Sequence, residues 1–200
     1  MRIGFFGGSF DPPHRGHLRV ALAVAERFAL ERVLLAPTGS QPFKPEGLHA
    51  SYEDRLEMVR LLIMDQKLIE ASDIDRPKPD GTPNYTVEAL LRLREELGDD
   101  AEIFVIVGMD AFLEVREWRE PEKLFELAEW IVVSRPGFDL SMIDEIGLGP
   151  DEHRRMHALG DVAEDVSASA LRAMLHEGED VRGMLPPAVL EYIRSHGLYL

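Results

Sequence analysis

Four short runs constrain this chain most: Ile3-Gly4-Phe5-Phe6, Val33-Leu34-Leu35-Ala36, Ile103-Phe104-Val105-Ile106-Val107 and Trp130-Ile131-Val132-Val133. None contains a charged side chain, and none alternates between polar and apolar. A strand with one wet face alternates, so unbroken apolar strands belong in a sheet covered on both faces. Residues 69–74 read as a weaker third strand, and 156–159 as a last short one. Between the strands lie segments with helical spacing. Leu18, Ala21, Leu22, Ala25 and Phe28 share one face. Ser51-Tyr52-Glu53-Asp54 opens a helix with a cap and an acidic first turn. Residues 86–97 form a helix closed by Gly98, and shorter helices are expected at 111–115, 121–127, 168–175 and 187–196. Residues 76–84, with three prolines and a glycine, read as loop, and 141–155 give no clear periodicity. Strand and helix in alternation imply a Rossmann-like, doubly wound α/β fold with a mostly parallel sheet and helices on both faces. Such sheets bind ligands at the carboxyl ends of their strands, near a topological switch point.

With 200 residues and no boundary in composition, one domain over 1–200 is expected. No apolar run approaches the roughly 20 residues a bilayer span needs, so no membrane association is expected. The chain has no cysteine, hence no disulfide framework and no thiolate metal site. Met1-Arg2-Ile3-Gly4 leads straight into a strand rather than a secretory leader, and the cytoplasm is the expected location. The net charge of −15 argues against a broad nucleic-acid surface, which needs many lysines and arginines. It also repels small phosphorylated ligands. A nucleotide site here must rest on a few local cations and backbone donors.

Three stretches meet that demand. The first is Gly7-Gly8-Ser9-Phe10-Asp11-Pro12-Pro13-His14-Arg15-Gly16-His17-Leu18. Its glycines let a ligand approach the backbone and its N–H groups. If a helix begins near Pro13 or His14, His14 and His17 share a face at a helix N-terminus, where anions are favoured. A turn with two exposed histidines, or a zinc pair, would use the same residues. The second is Val166-Ser167-Ala168-Ser169-Ala170-Leu171-Arg172, in which Ser167 is a natural N-cap. Arg172 then lies near a helix start, mildly unfavourable for a cation unless an anion is bound there. Other helix starts are acidic at Glu53, Asp54, Glu88 and Glu122. The two exceptions suggest that both ends converge on one anion, although a plain serine cap with a solvated arginine would look alike. The third is Val107-Gly108-Met109-Asp110, where Gly108 permits close approach and Asp110 either accepts from a nucleoside or caps the next helix.

The first stretch closely resembles the HxGH signature of the nucleotidylyltransferase α/β superfamily. That resemblance implies ATP binding by Gly7, Gly8, Ser9, Phe10, His14, His17, Gly108, Asp110, Ser167, Ser169 and Arg172. It gives His14, His17 and Arg172 the catalytic work. Within the superfamily, the chain is similar over nearly its whole length to the bacterial nicotinate mononucleotide adenylyltransferases, through Asn84-Tyr85-Thr86, Trp118, Ser134-Arg135-Pro136-Gly137 and the tail to Tyr199. The likeness places nicotinate mononucleotide against Lys44, Tyr85, Thr86, Trp118, Arg119 and Arg135, with Trp118 stacked on the pyridine ring.

What the resemblance implies chemically is in-line attack by the mononucleotide phosphate on the α-phosphorus of ATP, with Mg²⁺ carried on the triphosphate and no dedicated protein metal cage. The helices of 168–196 would complete the phosphate site. A homo-oligomer is left open, and no nucleic-acid polymer is expected as partner. The chain departs from the family pattern at Gln41-Pro42-Phe43-Lys44, where a histidine usually stands at Phe43, and in a longer loop over 76–82. An acceptor such as nicotinamide mononucleotide or phosphopantetheine is the alternative within the class, although His14 argues against the latter, which usually goes with threonine there. A non-catalytic nucleotide-binding module is the alternative outside it.

Overall fold

The computed structural model describes residues 1–40, 48–134, 140–160, 162 and 166–200. Six strands form one sheet: β1 (Arg2–Gly8), β2 (Arg32–Pro37), β3 (Ile69–Ala71), β4 (Glu102–Gly108), β5 (Glu129–Val133) and β6 (Met156–Leu159). Their order is β3-β2-β1-β4-β5-β6, and every pairing is parallel. The strand order reverses between β1 and β4, which is the switch point of a doubly wound sheet.

Successive residues of each strand enter opposite cores. Ile3, Phe5, Leu34, Ile103, Val105, Val107, Trp130 and Val132 pack on one face, with α3 (Thr86–Leu97), α4 (Met109–Leu113) and α5 (Pro121–Leu127). Val33, Leu35, Phe104, Ile106, Ile131 and Val133 pack on the other, with α1 (Arg15–Arg27), α2 (Tyr52–Leu62), α7 (Ala168–His176) and α8 (Pro187–Ser195). Both strand faces are dry, which is why the strand sequences lack alternation. A one-turn helix, α6 (Pro150–Arg154), precedes β6.

Several expectations need adjustment. The sheet is wholly parallel among the described residues. The third strand stops at Ala71: the Ser72 N–H still donates to the Leu35 carbonyl at 2.9 Å, but Asp73 to Arg76 form a turn, with the Arg76 N–H donating to the Asp73 carbonyl at 3.0 Å. The ambiguous stretch holds a 3₁₀ segment over Leu140–Ile146 and then α6. Helix α4 starts at Met109, directly off the end of β4.

One feature of the register shapes the molecule. The β1–β4 ladder ends at Phe5↔Val105, yet both strands continue, to Gly8 and Gly108. The strand ends part there, and a crevice opens at the carboxyl edge of the sheet.

Candidate functional site

A cavity of about 340 Å³ occupies this crevice. Its lining includes Phe5, Gly7, Val105 and Val107 of the strands, with Gly8, Gly108, Tyr85, Thr86, Trp118 and Arg119. A Cβ at Gly7 would sit a tight 3.2 Å from the Phe5 ring, whereas one at Gly8 would meet the Phe10 ring at an ordinary 3.4 Å. At Gly108 an added Cβ would lie 2.6 Å from Asp110 Oδ1. The exposed Asp110 carboxylate therefore folds back over the strand end. The N-cap of α4 is Gly108, so Asp110 is not the cap.

Beyond the glycines the chain makes a tight passage. Phe10 is 1% exposed and takes a positive φ of 48°, and Asp11, Pro12 and Pro13 are buried. His14 is the N-cap of α1, in extended conformation, and its backbone N–H donates to His17 Nδ1 at 3.2 Å. The helix thus begins earlier than its apolar stripe, which places both histidines in its first turn. Their rings lie 3.7 Å apart between centroids, at 32°. His14 is only 3% exposed, so the picture of two solvent-facing histidines does not hold. Gly16 is needed between them: a Cβ there would come within 3.0 Å of His14 Nδ1.

The late segment arrives at the same place. Val166 Cβ lies 3.8 Å from that Gly16 position. Ser167 caps α7, its Oγ accepting from the Ala170 N–H at 3.1 Å and lying 3.2 Å from Ser169 Oγ. Arg172 Nη1 donates to the Asp11 carbonyl at 2.7 Å. Residues from both ends of the chain are thereby held on one loop.

Tyr85, Thr86, Trp118 and Arg119 gather on the α3–α4 side of the crevice. Tyr85 is the N-cap of α3, without a side-chain cap bond. Its ring instead has Arg119 Cζ at 4.7 Å and Lys78 Nζ at 5.5 Å from its centroid. Trp118 is half-buried, edge-on to Trp130 at 5.9 Å, with part of its surface on the cavity. Packing and cavity lining coexist in this residue. Lys44 and Arg135 lie outside the described residues.

Four residues here were given no role by sequence reasoning. Arg55 of α2 is 1% exposed and donates to the Ser9 carbonyl at 2.7 Å and the Thr38 carbonyl at 2.8 Å. Its signal was positional, because Arg55 falls on the helical face of Val59 and Leu62. Asp11 accepts from the His49 and Ala50 N–H groups, at 2.8 and 3.1 Å. Asp75 and Asn84 form part of the cavity wall, 5% and 3% exposed. Asn84 Nδ2 donates to Asp75 Oδ1 at 3.1 Å and to the Arg76 carbonyl at 2.9 Å. Burial raises the Asp75 carboxyl to about 6, against the lowering effect of Asn84 and Thr38. Asn84 stands in a run that carried the family resemblance but was given no role there, and Asp75 stood in no motif.

Backbone donors, two close-packed imidazoles and a guanidinium beside a partly aromatic cavity suit a polyphosphate next to a flat ring. Comparison with known proteins agrees in kind. Residues 5–174 match the cytidylyltransferase-like family. A protein of Desulfatibacillum aliphaticivorans is 38% identical, with both chains covered completely. One from Chromobacterium violaceum is 40% identical over 99% of this chain and 98% of its own. Both carry the name "Probable nicotinate-nucleotide adenylyltransferase". In fold, the chain is similar to Plasmodium falciparum nicotinic acid mononucleotide adenylyltransferase complexed with NaAD, with a TM-score of 0.79 at 19% identity over 99% and 97% of the two chains. The chain belongs to the cytidylyltransferase-like family and, within it, to the nicotinate-nucleotide adenylyltransferases.

Proposed function

We propose that this protein transfers the adenylyl group of ATP to nicotinate mononucleotide, releasing pyrophosphate and forming nicotinate adenine dinucleotide. The observation that carries this reading is the meeting of His14, His17 and Arg172 on the glycine loop, beside a cavity lined by Tyr85, Thr86 and Trp118. The triphosphate takes the α1–α7 side and the pyridine ring the α3–α4 side, with Gly7, Gly8 and Gly108 between them.

The attacking oxygen is already anionic, so the protein need supply no nucleophile. Its work is to align two anions and to stabilise charge that builds on the α-phosphate and the departing pyrophosphate. The N–H groups of Gly8, Ser9 and Phe10, with His14, His17 and Arg172, act on that charge. Ser167 and Ser169 orient the distal phosphates, and Asp110 accepts from the adenosine. Lys44 and Arg135 are assigned to the acceptor side on sequence resemblance alone.

Enzymes of this kind generally use ATP with a divalent cation. Mg²⁺ is the ion proposed here, entering as part of the Mg·ATP substrate and held mainly by phosphate oxygens and water. The proposed location is the cytoplasm, with whose reducing conditions a cysteine-free chain is compatible.

Incubation with ATP, Mg²⁺ and a panel of mononucleotides, followed by mass detection, tests the reading. Nicotinate adenine dinucleotide and stoichiometric pyrophosphate are expected. Faster turnover with nicotinamide mononucleotide or phosphopantetheine overturns the acceptor assignment, and no pyrophosphate with any acceptor overturns the reaction.

A further inference from the structure

Asp11 sits at the centre of a set of bonds larger than a turn requires. Its side chain is buried, 2% exposed. Besides the two backbone N–H groups of His49 and Ala50, its Oδ1 accepts from the Tyr199 hydroxyl at 2.6 Å, a bond between residues 188 apart. Its carbonyl accepts from Arg172. Its neighbour Ser9 accepts from Arg55. The loop that bears the phosphate donors is thus held by two guanidinium groups on its carbonyls and one phenol on its carboxylate.

The chain goes to some length to deliver that phenol. Helix α8 ends in a left-handed turn: the Leu198 N–H donates to the Ile193 carbonyl at 3.0 Å and the Gly197 N–H to the Arg194 carbonyl at 3.3 Å, with Gly197 at φ 62°. Tyr199 itself takes φ 62°, a conformation costly for a bulky side chain unless its surroundings hold it. Burial and Asp11 both raise the Tyr199 hydroxyl well above its ordinary range, while Arg55 and Arg172 oppose that shift. The hydroxyl therefore stays a donor at every working pH, close enough to both guanidiniums to feel their charge.

We infer that Tyr199 is a positioning residue for the phosphate site, which it serves by clamping Asp11 so that the Asp11 carbonyl holds the Arg172 guanidinium in place. The inference rests on the ATP-binding half of the proposed function and not on the identity of the acceptor. Without the hydroxyl, the Asp11 carboxylate keeps its two N–H donors but loses its tie to the tail. The carbonyl that aligns Arg172 is then free to shift.

The test uses the full chain and calorimetric binding of Mg²⁺ with a non-hydrolysable α,β-methylene ATP, beside turnover. Tyr199→Phe is expected to weaken nucleotide binding about tenfold, the scale of one hydrogen bond to a charged group, while KM for the acceptor stays within twofold. Tyr192→Phe is the control. Its hydroxyl also donates to a carboxylate, Asp54 Oδ1 at 2.9 Å, which belongs to α2 and not to the loop, and its nucleotide affinity should match the parent. The deciding measurement is the double variant. If Tyr199 acts through Arg172, Tyr199→Phe adds less than twofold on an Arg172→Ala background. Equal losses on both backgrounds, or parental affinity in Tyr199→Phe, overturn the inference. If the unsubstituted chain binds the nucleotide but turns over no acceptor, the proposed reaction fails, and the clamp is decided by the binding measurements alone.

Discussion

His17 is the third residue of α1, and its Nδ1 is already engaged by the His14 N–H. That bond helps to fix the imidazole at the helix start, where developing negative charge is favoured. His17→Ala should lower kcat about 10²-fold, the usual scale for one such donor, and shift the ATP dissociation constant only a few-fold. Single-turnover kinetics beside calorimetry separates the two, and a kcat within threefold of the parent removes His17 from the transition state. Arg172→Ala should show the opposite split, with weaker ATP binding as its main effect. An unchanged dissociation constant takes Arg172 out of the phosphate site. Gly16→Ala belongs at this scale as well. Its new methyl would press on His14 Nδ1, so activity should fall while the thermal midpoint moves little.

Among the elements, the link from β3 to α3 carries the buried Asp75. Its carboxyl is raised to about 6 in the folded protein, above the ordinary value, so the unfolded chain releases this proton first as pH rises. Stability owed to Asp75 is therefore fully present below pH 4 and is lost as pH rises through 6, by about 3 kcal/mol across the window. Asp75→Asn should gain stability relative to the parent between pH 4 and pH 7, read as a rising difference in urea midpoints. A constant difference would mean that Asp75 ionises as freely in the fold as outside it. At the start of α7, Ser167→Ala removes the cap on the Ala170 N–H and should cost about 1 kcal/mol. ATP affinity should fall with it, because the same serine is assigned to the phosphates.

For the whole molecule, the question is how an acidic chain holds two anions. The cations that matter are few, and packing brings them together. Leu171, fully buried beside Arg172, joins α7 to the core shared by α1, α2 and α8. Leu171→Ala should cost about 2–5 kcal/mol in chemical denaturation. The loss of packing should also loosen Arg172, so ATP affinity ought to drop even where the variant is fully folded. Parental affinity at full folding would show that α7 keeps its place without this side chain.

Much of this was legible beforehand because its causes are local. Unbroken apolar strands announced a sheet buried on both sides, and the alternation of strand and helix announced its winding. The glycine loop and paired histidines carried the likeness to the family signature, and with it the proposal of a phosphate site, whereas their spacing alone left a plain turn or a zinc pair open. Other features depend on residues far apart. The parting of β1 and β4 after Phe5↔Val105, the burial of Asp75 against Asn84, Arg55 on two loop carbonyls and Tyr199 on Asp11 leave no periodic trace. Arg172 illustrates the division. Its position near a helix start was read from the sequence, but the carbonyl that holds it lies 161 residues away. Backbone preference and hydrophobic period are properties of neighbours along the chain. Partners for buried polar groups are chosen by desolvation, which exists only once the core has closed.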